Sequence, residues 1–148
     1  PFIYKHINKE GKIIAVDIAE NMLNIAIQKY TMENIEFILG DVCEVELPRE
    51  YFDVAFCYSV FPHFRDQLGT LRHLTDLLKP RGKVIIAHSQ SRDAINSFHS
   101  KSNAAVSKDK LPNASTIKRY MVDVGLTPSL TVDNEEMFVL IGEKSEWE

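Results

Sequence analysis

Short apolar runs alternate with amphipathic stretches along most of this chain of 148 residues. The apolar runs predict strands at residues 11–17, 34–39, 52–58 and 83–88. Apolar residues at helical spacing predict helices at residues 20–30 and 65–79, and Pro80-Arg81-Gly82 stops the second helix. Strands that alternate with helices in this way are typical of an α/β protein whose parallel sheet is covered on both faces.

The last third of the chain departs from this rhythm. Residues 89–112 are rich in Ser, Asn, Lys and His, and they predict a weak helix at 91–98 followed by a mobile loop able to fold over the strand ends. Asn113 suits a helix N-cap, and the helix predicted after it ends at Gly125. Residues 126–132 and 137–142 predict two antiparallel strands joined by a turn.

Composition narrows the class of protein. With 45% hydrophobic and 26% charged residues, the chain can bury a sizeable core without disulfides or metals, so we expect a single domain over residues 1–148. The net charge of -4 and the scattered Lys and Arg residues disfavour nucleic acid as a partner. No apolar run is long enough to span a membrane, and the two cysteines are typical of thiols in a reducing compartment. We therefore expect a cytoplasmic protein; its oligomeric state stays open.

Asp17 carries the first chemical signal. It ends the first predicted strand and is followed by a helix, which is where doubly wound sheets place an acid that accepts hydrogen bonds from a ribose. The glycine-rich loop and first strand of that architecture would precede Pro1. We therefore expect an N-terminally truncated domain whose first strand is absent from this chain.

Four motifs in order resemble the class I S-adenosylmethionine-dependent methyltransferases, particularly the type 11 enzymes that act on small molecules. They are Ala15-Val16-Asp17-Ile18 with Met22-Leu23, Gly40-Asp41-Val42, Phe52-Asp53-Val54, and Leu77-Leu78-Lys79-Pro80-Arg81-Gly82-Lys83. The resemblance covers nearly the whole chain. It implies a doubly wound, mostly parallel Rossmann-like sheet with strand order 3-2-1-4-5-7-6, in which the antiparallel strand seven matches the closing hairpin.

The resemblance also implies contacts with S-adenosylmethionine from the ends of three strands. These residues are Asp17, Ile18, Met22, Gly40, Asp41, Val42, Cys57 and Tyr58. Asp17 would accept the ribose hydroxyls and Asp41 the adenine amine, while Ile18 and Met22 would enclose the adenine ring. The backbone of Cys57 and Tyr58 would face the methionine moiety.

Histidines follow the later strands. His63 lies just past the fourth strand of the implied order, and it is the candidate base for an acceptor that must lose a proton. His88, Arg92 and His99 are candidate contacts with the small-molecule substrate. We predict no metal site, because the histidine spacings match no compact zinc motif.

The sequence thus predicts a methyltransferase that transfers a methyl group in line to a small molecule. Packing alone could explain each candidate residue. Because the expected glycine-rich loop and first strand would precede Pro1, two alternatives stay open. The chain could be a degenerate interaction domain without catalysis, or another chain could supply the missing strand. A nicotinamide-dependent oxidoreductase would also place an acid after its second strand, but it calls for neither Gly40-Asp41 nor the closing hairpin.

Overall fold

The computed structural model describes residues 3–7, 10–102 and 105–146. They fall into two compact units, the first within residues 1–46 and the second within residues 47–148. Each unit has a parallel pair of strands, and the second unit has a further antiparallel hairpin.

The first unit is a strand, helix and strand. After a 3-10 helix at Ile3–His6 come β1 (Ile13–Asp17), α1 (Glu20–Lys29) and β2 (Ile35–Leu39). β1 and β2 pair in parallel, with Asp17 opposite Leu39 at their carboxyl ends. Leu23 is the buried residue of α1. A helix between parallel strands is the connection that this pairing requires.

The second unit holds the larger sheet. Its elements are β3 (Phe52–Tyr58), a 3-10 helix (Phe61–His63), α2 (Gln67–Leu77), β4 (Leu78–His88), α3 (Arg92–Lys101), α4 (Ala114–Asp123), β5 (Leu126–Asp133) and β6 (Phe138–Lys144). The strand order is β3-β4-β6-β5, and β6 is antiparallel to both of its neighbours. The two sheets reproduce the parts 3-2 and 4-5-7-6 of the expected order, so the predicted α/β fold is confirmed.

The core of the second unit lies between its sheet and its helices. Its largest fully buried side chains include Phe61, Leu71, Ile86, Met121, Phe138 and Leu140. α4 approaches the sheet closely at Gly142, where a Cβ atom would lie 3.0 Å from the Met121 sulfur. Glycine at this position lets the helix pack directly on β6. No helix in the described part of the chain is long and apolar enough to cross a membrane.

α2 ends two residues earlier than the sequence predicts. Its last residue is Leu77, and Leu78 is already extended and pairs with Phe52 at the start of β4. Pro80 disfavours helical geometry at Lys79, and Lys144 Nζ donates to the carbonyls of Thr75 and Leu78 that the helix leaves open. The strand therefore starts before Lys83, and the residues predicted as a helix stop lie inside it.

The polar segment at 89–112 is more structured than its composition predicts. α3 extends to Lys101, three residues beyond the predicted end, and Ser91 Oγ caps it by accepting from the Ala94 amide at 3.2 Å. Residues 103 and 104 of the predicted mobile loop lie outside the described residues. Leu111 is only 1% exposed, and the Asn96 side chain bonds both its amide, at 2.8 Å, and its carbonyl, at 3.1 Å. The end of the predicted loop is therefore attached to α3.

The elements after this segment agree closely with the sequence prediction. Asn113 caps α4 by accepting from the Thr116 amide at 2.8 Å. Gly125 follows the helix with φ +84, a conformation that favours glycine. β5 and β6 then form the predicted antiparallel hairpin.

Candidate functional site

The first candidate site is at the carboxyl end of the β1–β2 pair. The Gly40 amide donates to the Asp17 carbonyl at 3.0 Å, which continues the strand pairing for one residue beyond Leu39. This bond brings the Asp17 turn and the Gly40-Asp41 turn side by side. The structure therefore unites the two acids that the motifs singled out within the first unit.

Both acids have the same local geometry. Asp17 Oδ1 accepts from the Ala19 amide at 2.8 Å, and Asp41 Oδ1 accepts from the Cys43 amide at 2.9 Å. Each carboxylate bonds the backbone two residues ahead, which fixes its orientation at the strand end. No partner for either Oδ2 atom is recorded among the described residues, so each acid keeps an oxygen that can accept from a ligand.

Gly40 makes the second turn tight. A Cβ atom at this position would lie 2.7 Å from Val45 Cγ1, well inside van der Waals contact. Val45 is held there because its amide donates to the Asp41 carbonyl at 3.0 Å. A larger residue at position 40 would have to displace the Val45 side chain, so glycine lets this turn stay tight.

Exposed apolar side chains flank the first acid. Ile18 is 70% exposed and Met22 is 59% exposed, although both are large and hydrophobic. Carboxylate oxygens beside uncovered apolar groups fit an adenosine, whose ribose donates hydroxyl hydrogens and whose base is flat. Val42, half-buried, follows Asp41 in the same turn.

Cys57 and Tyr58 end β3 in the second unit and point to opposite faces of its sheet. The Cys57 side chain is buried, and burial raises the pKa of its thiol to about 12. Tyr58 is exposed and its ring stacks on Phe56, with centroids 6.0 Å apart. The thiol is therefore a core group, and a ligand at this strand end would contact the backbone or the exposed Tyr58 ring.

A cluster of histidines forms the second candidate site. His63 Nδ1 lies 2.7 Å from Asp109 Oδ2, and His99 Nδ1 lies 3.1 Å from the Asp109 carbonyl oxygen. The two imidazole rings are 4.9 Å apart. The structure thus brings together two of the predicted histidines around one aspartate.

Asp109 was not found from the sequence. It lies 46 residues after His63 in a polar segment without a motif, so no spacing relates the two. The attachment of Leu111 to α3 is what places Asp109 beside the histidines. The available signal in the sequence is Leu111, a large apolar residue in a polar segment, two positions after this acid.

His88 is buried at the end of β4, as His99 is on α3. It is 5% exposed, and its Nε2 atom has no hydrogen-bond partner among the described residues. Burial lowers the pKa of His88 to about 4, with smaller contributions from the charges of His63 and His99. His88 is therefore neutral at physiological pH, and a ligand would reach its Nε2 only if neighbouring groups moved.

Arg92 is not linked to this cluster by a recorded contact. Its guanidinium forms an ion pair with Asp93, the next residue of α3, at 3.2 Å. The described residues also include no group of three histidine, cysteine or acidic side chains placed to hold a metal ion.

A cleft of about 500 Å³ opens beside Asp109. Its charged lining residues are Arg65, Asp66, Lys108, Asp109 and Lys110. Both acids already accept hydrogen bonds from the protein, Asp66 from the Gly69 amide and Asp109 from His63. The lining thus holds three cations and two acids, a formal excess of one positive charge.

The sequence matches a known family over more than its first half. Residues 2–86, more than half of the chain, match the family described as "Methyltransferase domain". The chain therefore belongs to this family of methyltransferase domains, as the motifs indicated.

Curated relatives match the same region. The chain is 34% identical over 82 residues to the demethylmenaquinone methyltransferase of Lactococcus lactis, covering 53% of this chain and 32% of the relative. It is 32% identical over 82 residues to the enzyme of the same name from Staphylococcus saprophyticus, covering 55% and 35%. The match therefore spans about a third of the length of these relatives.

Solved structures share the fold over nearly the whole chain. A SAM-dependent methyltransferase from Aquifex aeolicus matches with a TM-score of 0.74 and 20% identity, covering 97% of this chain and 74% of that one. An S-adenosylmethionine-dependent methyltransferase from Mesorhizobium loti matches with a TM-score of 0.76 and 12% identity, covering 97% and 84%. At these identities the likeness establishes the fold.

Proposed function

We propose that the protein transfers the methyl group of S-adenosylmethionine to a small-molecule acceptor. The observation that carries the proposal is the pair of turns at the carboxyl ends of β1 and β2, where Asp17 and Asp41 each bond the backbone through Oδ1 and the described residues give Oδ2 no partner. Ligands of open α/β sheets bind at the carboxyl ends of the strands. Membership of the methyltransferase family supports the same assignment.

The chain's own residues would bind the adenosine half of the cofactor. Asp17 would accept from the two ribose hydroxyls and Asp41 from the adenine amine, with the Val42 amide at a ring nitrogen. Ile18 and Met22 would cover the adenine ring, which accounts for their exposure. Gly40 would keep the second turn close to β1. The backbone at Cys57 and Tyr58 would approach the methionine moiety.

The cofactor supplies an activated methyl group, so the protein needs mainly to position the acceptor. Positioning alone contributes about 7–11 kcal/mol in well-oriented systems. The name that the curated relatives carry suggests a quinone-type acceptor. Since a quinone ring is electron-poor, the nucleophilic form of such an acceptor would be the reduced quinol, which carries hydroxyl groups. His63 would take the proton that a quinol hydroxyl must lose, and His88, Arg92 and His99 would border the acceptor.

Calorimetric titration of the full-length protein with S-adenosylmethionine tests the proposal. Asp17→Ala should weaken binding at least about tenfold, because a charged acceptor of two hydrogen bonds is lost. Asp53→Ala is the matched control, since Asp53 is a highly exposed carboxylate paired with Lys79 on the second unit. Equal affinities for the wild type and Asp17→Ala would refute the assignment of this site.

A further inference from the structure

We propose that His63 and Asp109 form an acid–base dyad that removes the proton of an ionisable hydroxyl on the methyl acceptor. The acceptor would accordingly be a phenol or an enol. His63 is the catalytic residue, and Asp109 is a positioning residue that acts through it. The inference rests on the proposed function and deepens it.

Hydrogen-bond chemistry determines which nitrogen of His63 is available. The Asp109 carboxylate can only accept, so the 2.7 Å contact places the hydrogen of neutral His63 on Nδ1. Nε2 then carries the lone pair and can receive a proton. The His63 side chain is 38% exposed, so a ligand can reach it from solvent, and its partner Asp109 borders the cleft.

Asp109 is held from several directions, which a positioning role requires. Its carbonyl accepts from His99 Nδ1, and its amide donates to the Val106 carbonyl at 3.0 Å. Two residues further on, Leu111 is buried and clamped by Asn96. The carboxylate therefore has little freedom to leave His63, and the base is oriented before a ligand binds.

Asp109 also borders the cleft, where cations would favour a deprotonated acceptor. Arg65, Lys108 and Lys110 line it together with Asp109. Positive charge favours the anionic form of a hydroxyl. A volume of about 500 Å³ lies within the roughly 300–1,000 Å³ range of small-molecule sites.

The proposed step balances without a further reagent. The O–H bond of the acceptor breaks, its proton forms an N–H bond at His63 Nε2, and the electron pair stays on the acceptor. With that pair, either the oxygen or a carbon conjugated with it forms the new bond to the methyl carbon. The S–C bond breaks, and its electrons remain on sulfur. Methylation at carbon expels the ring proton and restores the hydroxyl. In both cases one proton leaves for solvent.

The probe for this step is 4-nitrophenol, whose anion absorbs visible light and whose neutral form does not. The full-length protein would be titrated with it in slightly acidic solution containing S-adenosylhomocysteine. We expect the wild type to bind the probe and to raise the fraction of anion. 4-Nitroanisole, which has the same ring and no hydroxyl proton, should compete at least about tenfold less well.

Two variants separate the roles within the dyad. His63→Gln should abolish the anion signal. Asp109→Asn keeps the shape of the side chain, but its amide can donate to Nδ1 and so move the hydrogen of His63 to Nε2. It should reduce the anion signal at least about tenfold. Asp53→Asn, the control on an exposed ion pair, should leave the signal unchanged.

Nitrogen NMR of histidine-labelled protein reports the hydrogen position directly. Neutral His63 should carry its hydrogen on Nδ1 in the wild type and lose that preference in Asp109→Asn. An unchanged tautomer, no binding of 4-nitrophenol, binding only as the neutral phenol, or equal anion signals in the wild type and Asp109→Asn would overturn the proposal. Calorimetry with S-adenosylmethionine on the same samples tests the proposed function separately, because cofactor binding with any of these failures would remove only the dyad.

Discussion

Protonation of His88 should destabilise the second unit in acid. The imidazole is buried at the end of β4, and its ring lies 6.4 Å from that of Phe138, edge to face. A cation at this position would lose its hydration without gaining a recorded partner for Nε2. The perturbation that isolates this effect is His88→Leu, which keeps a side chain of similar size and removes the titratable group.

The size of the effect follows from the pKa of His88. In the unfolded chain the imidazole has its ordinary pKa of 6.5, whereas burial lowers the pKa in the folded protein to about 4. Above 6.5 both forms are neutral and the stability is fully present. As the pH falls from 6.5 towards 4, the unfolded chain takes up a proton that the folded chain excludes, so stability falls. At about 1.4 kcal/mol per pH unit, the loss approaches 3 kcal/mol.

Urea unfolding followed by circular dichroism at a series of pH values measures this loss. The free energy of unfolding of the wild type should decline through the window between 6.5 and 4, and the decline should be smaller by about 3 kcal/mol in His88→Leu. His6→Leu is the control, because His6 is an exposed histidine in the 3-10 helix of the first unit. If His88→Leu keeps the full decline of the wild type, the imidazole is not excluded from protonation and the reasoning is wrong.

Two further perturbations test the burial of Cys57 and of Leu111. Iodoacetamide should alkylate the exposed Cys43 quickly in the native protein and Cys57 only after unfolding. The reason is that burial raises the pKa of the Cys57 thiol to about 12. Two fast adducts detected by mass spectrometry would contradict this prediction. Leu111→Ala should lower the free energy of unfolding by about 2–5 kcal/mol, since it empties a fully buried site. A loss below about 1 kcal/mol would show that the segment is not anchored there.

The periodic parts of the fold could be predicted because each element shows its own signal. β3 has the predicted bounds, and the Asn113 cap and Gly125 mark both ends of α4. The hairpin of β5 and β6 was predictable from two nearby apolar runs. In these elements the local preference of the backbone and the final packing agree.

The differences arise where distant residues determine the local structure. α2 ends at Leu77 because Leu78 pairs with Phe52 and Lys144 bonds the last carbonyls. The end of the polar segment is fixed by one leucine and one asparagine, neither of which has a periodic signal. Tertiary contacts of this kind override composition, and a single sequence does not display them.

The candidate sites differ in the same way, since local motifs determine one site and distant contacts determine the other. Asp17 and Gly40-Asp41 were predictable because short motifs at strand ends determine the turns that hold them. The sequence indicated which histidines were candidates, but not which of them lie close together. Their partner Asp109 depends on the course of the chain between α3 and α4, and the burial of His88 depends on Phe138, which comes 50 positions later.

Binding of the adenosine moiety at the ends of β1 and β2 is the central claim, and amide NMR of the full-length protein tests it most directly. Titration with S-adenosylhomocysteine should shift the signals of residues 17–22 and 40–43 most strongly, because these turns would contact the ribose and the adenine. Saturable binding that leaves these two turns unperturbed and shifts only signals of β5 and β6 would contradict the account.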